Sequence, residues 1–540
     1  MSEQTMKSKM LKGSAWMTAG SIISRVLGAI YIIPWYSWFG ADKLQANALY
    51  TKGYTVYSIF LMIAISGIPS AVAKQVAHYN SRNEYQVSKR LFKASLVTLF
   101  LVGALCTLVF WWIAPYISQG DLKVVPIYRS LSIALLVIPS MSLLRGYFQG
   151  FQDMAPSALS QLIEQLVRII YMLGATFITV KVLGRSYEAG VWQSTFAAFI
   201  GAIGGTLLLI IYYLKKRPKL VQLEQQSANE LQISDQTLLK EVLYQALPFI
   251  FIACAMTMFN LVDQFSFPVI LKQVTSYSYE TINGLYALFA GNANKLIMIV
   301  VALSTAMATT AIPLLSEAVT KGERELTQEQ LLGALELLFF VMLPAVLGMA
   351  AVSRPLYLVF YGYDQTGIYV LAVSAYMTIA MGLFNVLGSL LQGIYENKQA
   401  IKYTAIGLLL KLILQYPLTA WLHVFGPIVA TGIAMIIASY LMLRFLYYKY
   451  DLPTAKLQQN FNRLLSYALL MFVIVLCLTW GWQLIFPGNS RILALVELCL
   501  CAGVGGYLYL GLCLKSRLLQ QILGENVAHK LTRLIKLRLR

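Results

Sequence analysis

Seven basic side chains lie within stretches that are otherwise apolar enough to cross a membrane: Arg25, Lys52, Lys74, Arg145, Arg168, Lys295 and Lys411. A cation at the bilayer centre costs about 3 kcal/mol even on the insertion scale that gives the smallest penalty. Only a few acids lie at comparable positions, among them Glu164, Asp263 and, nearer a span end, Glu336. The excess of positive charge predicts a membrane-embedded interior that binds an anion.

The elements that must position these charges are membrane-spanning helices. Of the 540 residues, 58% are hydrophobic and only 12% are charged, and the mean hydropathy is +0.67. Soluble domains carry about 25% charged residues, and a spanning helix needs about 20 apolar residues. Apolar windows predict fourteen spans, at 13–39, 48–76, 91–115, 127–151, 157–180, 189–214, 241–270, 284–315, 331–352, 367–395, 399–421, 425–448, 464–486 and 491–514.

The net charge of +19 would suggest nucleic acid binding in a soluble chain. Here the distribution of the basic residues indicates a membrane orientation instead, and no nucleic acid partner is expected. With a cytoplasmic N-terminus, about 27 Lys and Arg residues fall in cytoplasmic segments and about 8 in external ones, as the positive-inside rule requires. We therefore predict a bacterial cytoplasmic membrane protein with both termini in the cytoplasm.

The sequence contains an internal repeat with an offset near 243 residues. The matching segments are 148–153 with 391–396, and 68–69 with 312–313. The same register aligns Arg168 with Lys411. Because the repeat unit holds six spans, both copies have the same orientation, which predicts two parallel bundles of a transporter that rocks one half against the other.

This repeat predicts five regions. They are an N-lobe at 1–215, a cytoplasmic linker at 216–240, a C-lobe at 241–450, two additional spans at 451–515 and a basic tail at 516–540. The tail alternates apolar and basic residues, as a helix on the anionic inner leaflet would. A tail that only increases solubility fits the same pattern equally well.

Three cations are the strongest candidates for a shared aqueous cavity. Arg25 lies at the middle of span 1, too deep to reach water easily, and its planar guanidinium suits phosphate oxygens. Lys295 follows Asn292 and Asn294 in a cluster too polar for a lipid-facing surface. Arg145 precedes a glycine near the inner end of span 4. For Arg25, an ion pair with Asp263 is the alternative to a role in the cavity.

The remaining charges have competing interpretations. Glu164 and Arg168 are four residues apart on span 5, so a neutralised pair on one helix face is favoured. Lys411, the repeat-mate of Arg168, has glycine at the matching acid position and should be the more available cation. Asp263 could serve as a cation or proton site, or as the partner of Arg25.

Lys52 and Lys74 also belong to the candidate cavity, although either could lie at a membrane interface. Four prolines, Pro34, Pro69, Pro268 and Pro313, interrupt spans 1, 2, 7 and 8 and should bend them. The sequence contains no GxxxxGK[ST] loop and no HExxH motif, and its six cysteines form no CxxC pair. We therefore expect no enzymatic activity, no cofactor and no metal site.

Several segments together resemble the MurJ-type lipid II flippases of the multidrug/oligosaccharidyl-lipid/polysaccharide exporter superfamily. These segments are residues 24–28 (SRVLG), 293–296 (ANKL), 311–313 (AIP), 145–150 (RGYFQG) and 67–74 (GIPSAVAK), the last two being closest to the Gram-positive YtgP-type branch. The resemblance implies a V-shaped fold of two lobes, a central cationic cavity, and a hydrophobic groove at spans 13 and 14 for a lipid tail.

Single residues carry this resemblance unevenly. Arg25 matches an arginine of the family's first helix, and Lys295 stands where the family has an arginine in span 8. Three other charged positions of the family, a second first-helix arginine and two acids, fall on Tyr31, Asn47 and Asn294 in this chain.

The sequence-based hypothesis is a flippase for lipid II, the undecaprenyl-diphosphate-linked peptidoglycan precursor, driven by the membrane potential. Its expected partners are this glycolipid, the bilayer and the cell-wall synthesis machinery. Three rivals remain: a flippase for another undecaprenyl-linked polysaccharide unit, an ion-coupled multidrug antiporter and a scaffold of the division machinery. A basic interior disfavours the antiporter, because cationic drugs require acidic groups.

Overall fold

The computed structural model describes residue 28 and residues 30–65, 67–228, 234–523 and 525. Within these residues all regular structure is helical and no strand occurs. The all-α fold class is therefore confirmed for the part of the chain that is described. Arg25 lies outside these residues, so its predicted environment stays a prediction.

The chain divides into two compact units, Met1–Gln264 and Phe265–Arg540. The helices of the first unit are α1 Ile32–Trp38, α2 Lys43–Ile65, α3 Ile68–Ser81, α4 Tyr85–Ile117, α5 Val125–Ala134, α6 Ile138–Gly150, α7 Ala155–Phe177 and α8 Tyr187–Gln225. Helix α9, Asp235–Val274, begins in the first unit and ends in the second. The predicted division into lobes, linker, groove and tail stays a prediction.

The second unit contains the rest of the helices. They are α10 Tyr279–Tyr286, α11 Asn294–Thr320, α12 Arg324–Ala351, α13 Ser353–Tyr361, α14 Gln365–Gly393, α15 Asn397–Leu422, α16 Gly426–Tyr450, α17 Thr454–Ile485, α18 Arg491–Lys515 and α19 Leu518–Leu523. Helices α12, α17 and α18 share an apolar core built around Leu464, Ala468 and Cys513. The two additional spans thus pack on the second unit.

Twelve helical segments among the described residues are long and apolar enough to cross a membrane. They account for predicted spans 2 to 14, because the segment Asn397–Tyr450 contains two predicted spans. Those two spans meet at a short 3₁₀ turn, His423–Phe425. Most of predicted span 1 lies outside the described residues.

Predicted span 2 is broken and is not one bent helix. Helix α2 ends at Ile65, α3 begins at Ile68, and Gly67 between them has a φ of 79°. Pro69 lies in the first turn of α3, where its missing N–H removes no helical hydrogen bond. Helix α6 approaches so closely that a Cβ at Gly146 would collide with the Pro69 backbone. Proline here begins a helix, which corrects the expectation of a proline bend.

The polar cluster of predicted span 8 follows an unusual helical segment. Residues Ala287–Ala293 form a π-helix between α10 and α11. Such wider turns are rare and are frequently found at functional sites. Asn294 and Lys295 come directly after it, so the change in helical pitch sets the direction of both side chains. Helices α9 and α11 continue through Pro268 and Pro313.

Candidate functional site

Arg145 in α6 is held by two residues of α7. Its Nε and Nη2 donate to Ser160 Oγ at 3.0 and 2.9 Å, and Nη2 also donates to Glu164 Oε2 at 2.7 Å. Ser157 Oγ in turn donates to the Arg145 carbonyl at 3.0 Å. The two charged side chains are mostly buried, with relative exposures of 19% and 21%. This charge is neutralised inside the first unit.

The predicted pairing of Glu164 with Arg168 on one helix face is wrong. Glu164 forms its ion pair with Arg145 of the neighbouring helix, while Arg168 donates through Nη2 to the Tyr54 hydroxyl of α2. An i,i+4 spacing permits a contact but does not select it. Arg145 prevails because it binds Glu164 and Ser160 together, and Arg168 is left to extend towards α2.

Four tyrosines surround Arg168, and we call Arg168 with Tyr31, Tyr50, Tyr54 and Tyr57 the Arg168 cluster. The guanidinium carbon lies 5.2 Å from the centre of the Tyr54 ring. The rings of Tyr50 and Tyr54 are 4.4 Å apart, and those of Tyr54 and Tyr57 are 5.7 Å apart. The Tyr31 and Tyr50 hydroxyls lie 3.5 Å apart. Sequence reasoning missed this cluster, although Tyr50, Tyr54 and Tyr57 recur at the spacing of one helix face.

The other two lysines proposed for the first half occupy different environments. Lys52 is buried and its Nζ lies 3.0 Å from Asp121 Oδ2. Lys74 is exposed. Lys52 is thus already paired within its unit.

Lys123, which lies between the spans, donates to Glu188 and to the Tyr187 hydroxyl. These hydrogen bonds, chiefly that to Glu188, raise the pKa of the Lys123 ammonium.

Lys295 lies at the start of α11, beside a buried hydrogen-bonded anchor. Asn292 Nδ2 donates to the Tyr357 hydroxyl at 2.7 Å, and the Tyr361 hydroxyl donates to the Asn292 carbonyl at 3.2 Å. Both tyrosines belong to α13. Lys295 and Asn294 themselves are half-buried. The anchor fixes the π-helix and therefore the base from which Lys295 projects.

Lys411 is not more available than its repeat-mate Arg168, so that prediction is wrong. Its side chain is fully buried in α15, and Nζ donates to the Pro427 carbonyl at 2.8 Å. Asp263 is also buried, and the neighbouring Gln264 donates to the Tyr128 hydroxyl at 3.0 Å. The predicted pairing of Asp263 with Arg25 stays a prediction. Hydropathy predicts that Lys411 lies deep within a span, but it does not predict the carbonyl that accepts its hydrogen bond.

An apolar cavity of about 420 Å³ lies within the second unit. Helices α12, α17 and α18 line it with residues that include Pro344, Gly348, Met471, Gly505 and Tyr509. The small residues on α12 and α18 leave room for it. Among the described residues, no group of three or more His, Cys, Asp or Glu side chains could hold a metal ion.

Comparison with known proteins connects this arrangement to a family. Residues 10–319 match the family model described as "Polysaccharide biosynthesis protein". The chain is 33% identical to the lipid II flippase MurJ of Bacillus subtilis (strain 168) over 544 aligned positions, covering 97% of this chain and 98% of that protein.

Two solved structures share the fold. A structure of the lipid II flippase MurJ in an inward closed conformation superposes with a TM-score of 0.63 at 14% identity, covering 94% of this chain and 99% of that chain. An inward-facing multidrug resistance MATE family transporter gives a TM-score of 0.59 at 15% identity, covering 80% and 99%.

A helical fold with many candidate spans, shared with solved structures of membrane proteins, defines a multi-pass membrane protein. Within that class, the extent and identity of the match to MurJ decide the family. The chain belongs to the MurJ family.

Proposed function

We propose that this protein is a lipid II flippase, which moves the undecaprenyl-diphosphate-linked headgroup from the inner to the outer leaflet by alternating access. The observation that carries this proposal is the 33% identity to a lipid II flippase over 97% of the chain. The excess of cations within the spans supports it, because a diphosphate needs cationic partners where water is scarce.

Arg25 and Lys295 are the cations best suited to bind the diphosphate. Arg25 is a first-helix arginine that can bind oxyanions through two parallel hydrogen bonds. Lys295 projects from a base that Asn292 and α13 hold rigid. Arg145 and Lys52 each have an acidic partner within 4 Å, so their charges contribute less to anion binding.

The apolar cavity of the second unit suits part of the polyprenyl chain. Its walls are almost entirely hydrocarbon, and small residues of α12 and α18 leave it open to a chain of methyl-branched isoprene units. Because lipid tails are as apolar as the protein surface, the cavity contributes shape selectivity and not hydrophobic driving force. The proposed tail site therefore lies between α12 and the two additional spans, α17 and α18.

The membrane potential can supply the energy. Moving one charge through about 100 mV changes the free energy by about 2.3 kcal/mol. A diphosphate with about two negative charges that leaves a negative interior therefore gains about 4–5 kcal/mol, and no nucleotide hydrolysis is needed. We further propose that both termini face the cytoplasm and that the cell-wall synthesis machinery supplies and consumes the cargo.

A second candidate function is flipping of another undecaprenyl-linked polysaccharide unit. The family model that matches residues 10–319 favours it, since its description refers to polysaccharide biosynthesis. The two functions share the diphosphate and the lipid tail and differ only in the glycan. The precursor that accumulates when the protein is removed distinguishes them.

The test is depletion of the protein in cells that lack any other flippase. We expect lipid II to accumulate in the inner leaflet, where an externally added enzyme that cleaves lipid II cannot reach it. Re-expression of the chain should restore cleavage. Accumulation of a different undecaprenyl-linked glycan, with lipid II still exposed to the enzyme, would replace the first proposal by the second.

A further inference from the structure

Arg168 is an intramembrane cation that the sequence assigned to an acid, but within the described part of the chain its hydrogen bond goes to a neutral tyrosine. Its predicted partner Glu164 is bound to Arg145 at 2.7 Å. Among the described residues, no carboxylate lies within 4 Å of the Arg168 guanidinium, and its hydrogen bond goes to the Tyr54 hydroxyl. A neutral hydroxyl satisfies one donor but does not compensate the charge.

The polar groups around Arg168 lie on α7 and α2, which the hydrogen bond from Arg168 to the Tyr54 hydroxyl joins. On α7, Gln161, Glu164, Gln165 and Arg168 share one face at helical spacing. On α2, Tyr50, Tyr54 and Tyr57 form a row of rings. Most of the remaining surface of α7 is apolar, which suits lipid or helix contacts. A polar and aromatic strip of this kind has the composition of a carbohydrate-binding surface.

The described residues leave one buried hydroxyl of this strip without a hydrogen bond. Tyr57 is buried, and its Oη has no hydrogen-bond partner among the residues that the structure describes. Tyr57 is also close enough to Arg168 to interact with its charge. An unsatisfied buried hydroxyl costs about 1–3 kcal/mol, so its presence beside an arginine that has no acidic partner among the described residues points to a ligand that satisfies both.

We propose that the Arg168 cluster binds the headgroup of the transported lipid, with Arg168 on an oxyanion and the tyrosine rings against the saccharide. This inference rests on the proposed flippase function and adds a site to it. The guanidinium can donate two parallel hydrogen bonds to a phosphate or carboxylate. The tyrosines offer an apolar face for the C–H side of a sugar ring and a hydroxyl for its polar edge.

The competing explanation is structural: Arg168 stacks on Tyr54 only to join α7 to α2. Such cation–π contacts contribute about 0.5–2 kcal/mol. A purely structural pair predicts that any loss of binding follows a loss of stability. It also predicts no effect of Tyr57→Phe, because the hydroxyl removed has no protein partner among the described residues.

The first unit contains a matched control for Arg168. The guanidinium carbon of Arg129 lies 5.2 Å from the Trp111 ring centre, the same distance as that from Arg168 to Tyr54. Arg129 belongs to α5, which packs on α2, but Arg129 is not a member of the Arg168 cluster. Arg129→Gln therefore removes an equivalent arginine–aromatic contact without touching the Arg168 cluster.

The experiment measures lipid affinity and thermal stability of the full chain in nanodiscs. The oxyanion could be the diphosphate or a carboxylate of the peptide, so three probes are used: lipid II, lipid II with amidated peptide carboxylates, and undecaprenyl diphosphate. The variants are Arg168→Gln, Arg168→Lys, Tyr57→Phe and the control Arg129→Gln. Wild-type protein that binds none of the probes would overturn the proposed function itself.

With wild-type binding established, we expect Arg168→Gln to weaken lipid II binding at least about tenfold, the loss of one charge-assisted hydrogen bond. Arg168→Lys should retain part of the affinity, Tyr57→Phe should weaken binding without lowering stability, and Arg129→Gln should bind as wild type. An effect of Arg168→Gln that disappears with the amidated lipid assigns the peptide carboxylate, whereas one that persists with undecaprenyl diphosphate assigns the diphosphate.

Unchanged lipid II affinity in both Arg168→Gln and Tyr57→Phe would overturn the headgroup site and leave the flippase proposal standing. Should Arg168→Gln fail to fold, Tyr57→Phe and Arg168→Lys decide the question alone. Equal losses of affinity in Arg168→Lys and Arg129→Gln would also count against the site, because a general effect of removing an arginine would then explain both.

Discussion

Asp153 and Glu396, which the internal repeat aligns, form the same ion pair in the two units. Asp153 binds Lys216 on α8, and Glu396 binds Lys449 on α16. In each case the acid precedes the fifth span of the repeat and the lysine belongs to the sixth. The sequence aligned the two acids because segment 148–153 matches segment 391–396. The two lysines lie outside these matching segments.

A second pair of contacts follows the same pattern. In the first unit Lys89 of α4 binds Glu224 at the end of α8. In the second, Arg324 of α12 lies 2.5 Å from Asp451, which follows α16. Each unit therefore connects the beginning of its third predicted span to the end of its sixth. Exposed ion pairs contribute about 0–1 kcal/mol each, so these contacts define geometry more than they stabilise.

The pair between Arg145 and Glu164 should have a measurable role in stability. We expect Arg145→Met to lower the free energy of unfolding by about 3 kcal/mol, because it leaves a mostly buried carboxylate without its cation. The double variant Arg145→Met/Glu164→Met should recover most of the loss. Thermal unfolding of the purified proteins in detergent measures this. A double variant less stable than the single one would contradict the assignment.

Arg25 should be required for flipping and not for folding. Arg25→Ala should abolish outward movement of lipid II while the protein still reaches the membrane, and Arg25→Lys should retain partial activity because it keeps the charge but loses the planar fork. Growth of cells that carry the variant as their sole flippase measures this. Normal growth of Arg25→Ala cells would show that the residue does not bind substrate.

Lys411 should tolerate loss of its charge. The side chain is fully buried and donates to a backbone carbonyl, so it is not presented to a headgroup in this conformation. We expect Lys411→Met, of similar length, to support flipping at near wild-type rate. Lys295→Met is the matched comparison and should abolish it. If both variants lose activity to the same extent, the headgroup must reach Lys411 in another conformation.

The energy source can be tested by removing one gradient at a time. With valinomycin and potassium the membrane potential collapses and the pH gradient remains, and outward flipping should stop because the cargo is anionic. Nigericin, which removes the pH gradient alone, should leave flipping intact. The readout is enzymatic cleavage of lipid II from outside. Flipping that follows the pH gradient would favour proton coupling instead.

Membrane orientation can be tested with single cysteines in a cysteine-free background. Gln226, exposed just after α8, should be labelled only after permeabilisation, and Gly488, exposed between α17 and α18, should be labelled in intact cells. The two positions serve as controls for each other. Labelling of Gln226→Cys from outside would invert the proposed topology.

Hydropathy was sufficient to predict spans 3 to 14, because a run of about 20 apolar residues has few alternatives to a spanning helix. It was not sufficient to predict the partners of the charges. Glu164 had two arginines within reach, and only the packing of α6 on α7 decided between them. The buried Lys411 donates to a backbone carbonyl of α16, a kind of partner for which no residue type gives a signal.

Short sequence motifs revealed the repeat, but the two copies also contain structural features that those motifs do not predict. The break at Gly67 lies in the second span of the first copy, and the π-helix at Ala287–Ala293 lies in the second span of the second copy. Neither segment has a distinctive composition. The break depends on how closely α6 approaches α3, as the contact of Gly146 with Pro69 shows. Local sequence does not encode that distance.

The ion pairs that end each repeat also bear on how the chain is made. Both pairs of the first unit, Asp153 with Lys216 and Lys89 with Glu224, lie before residue 228. A nascent chain has therefore acquired all four partners while the ribosome is still translating the second copy. We expect the first half to reach its native helix contacts co-translationally, as a unit that the membrane insertion machinery can release early.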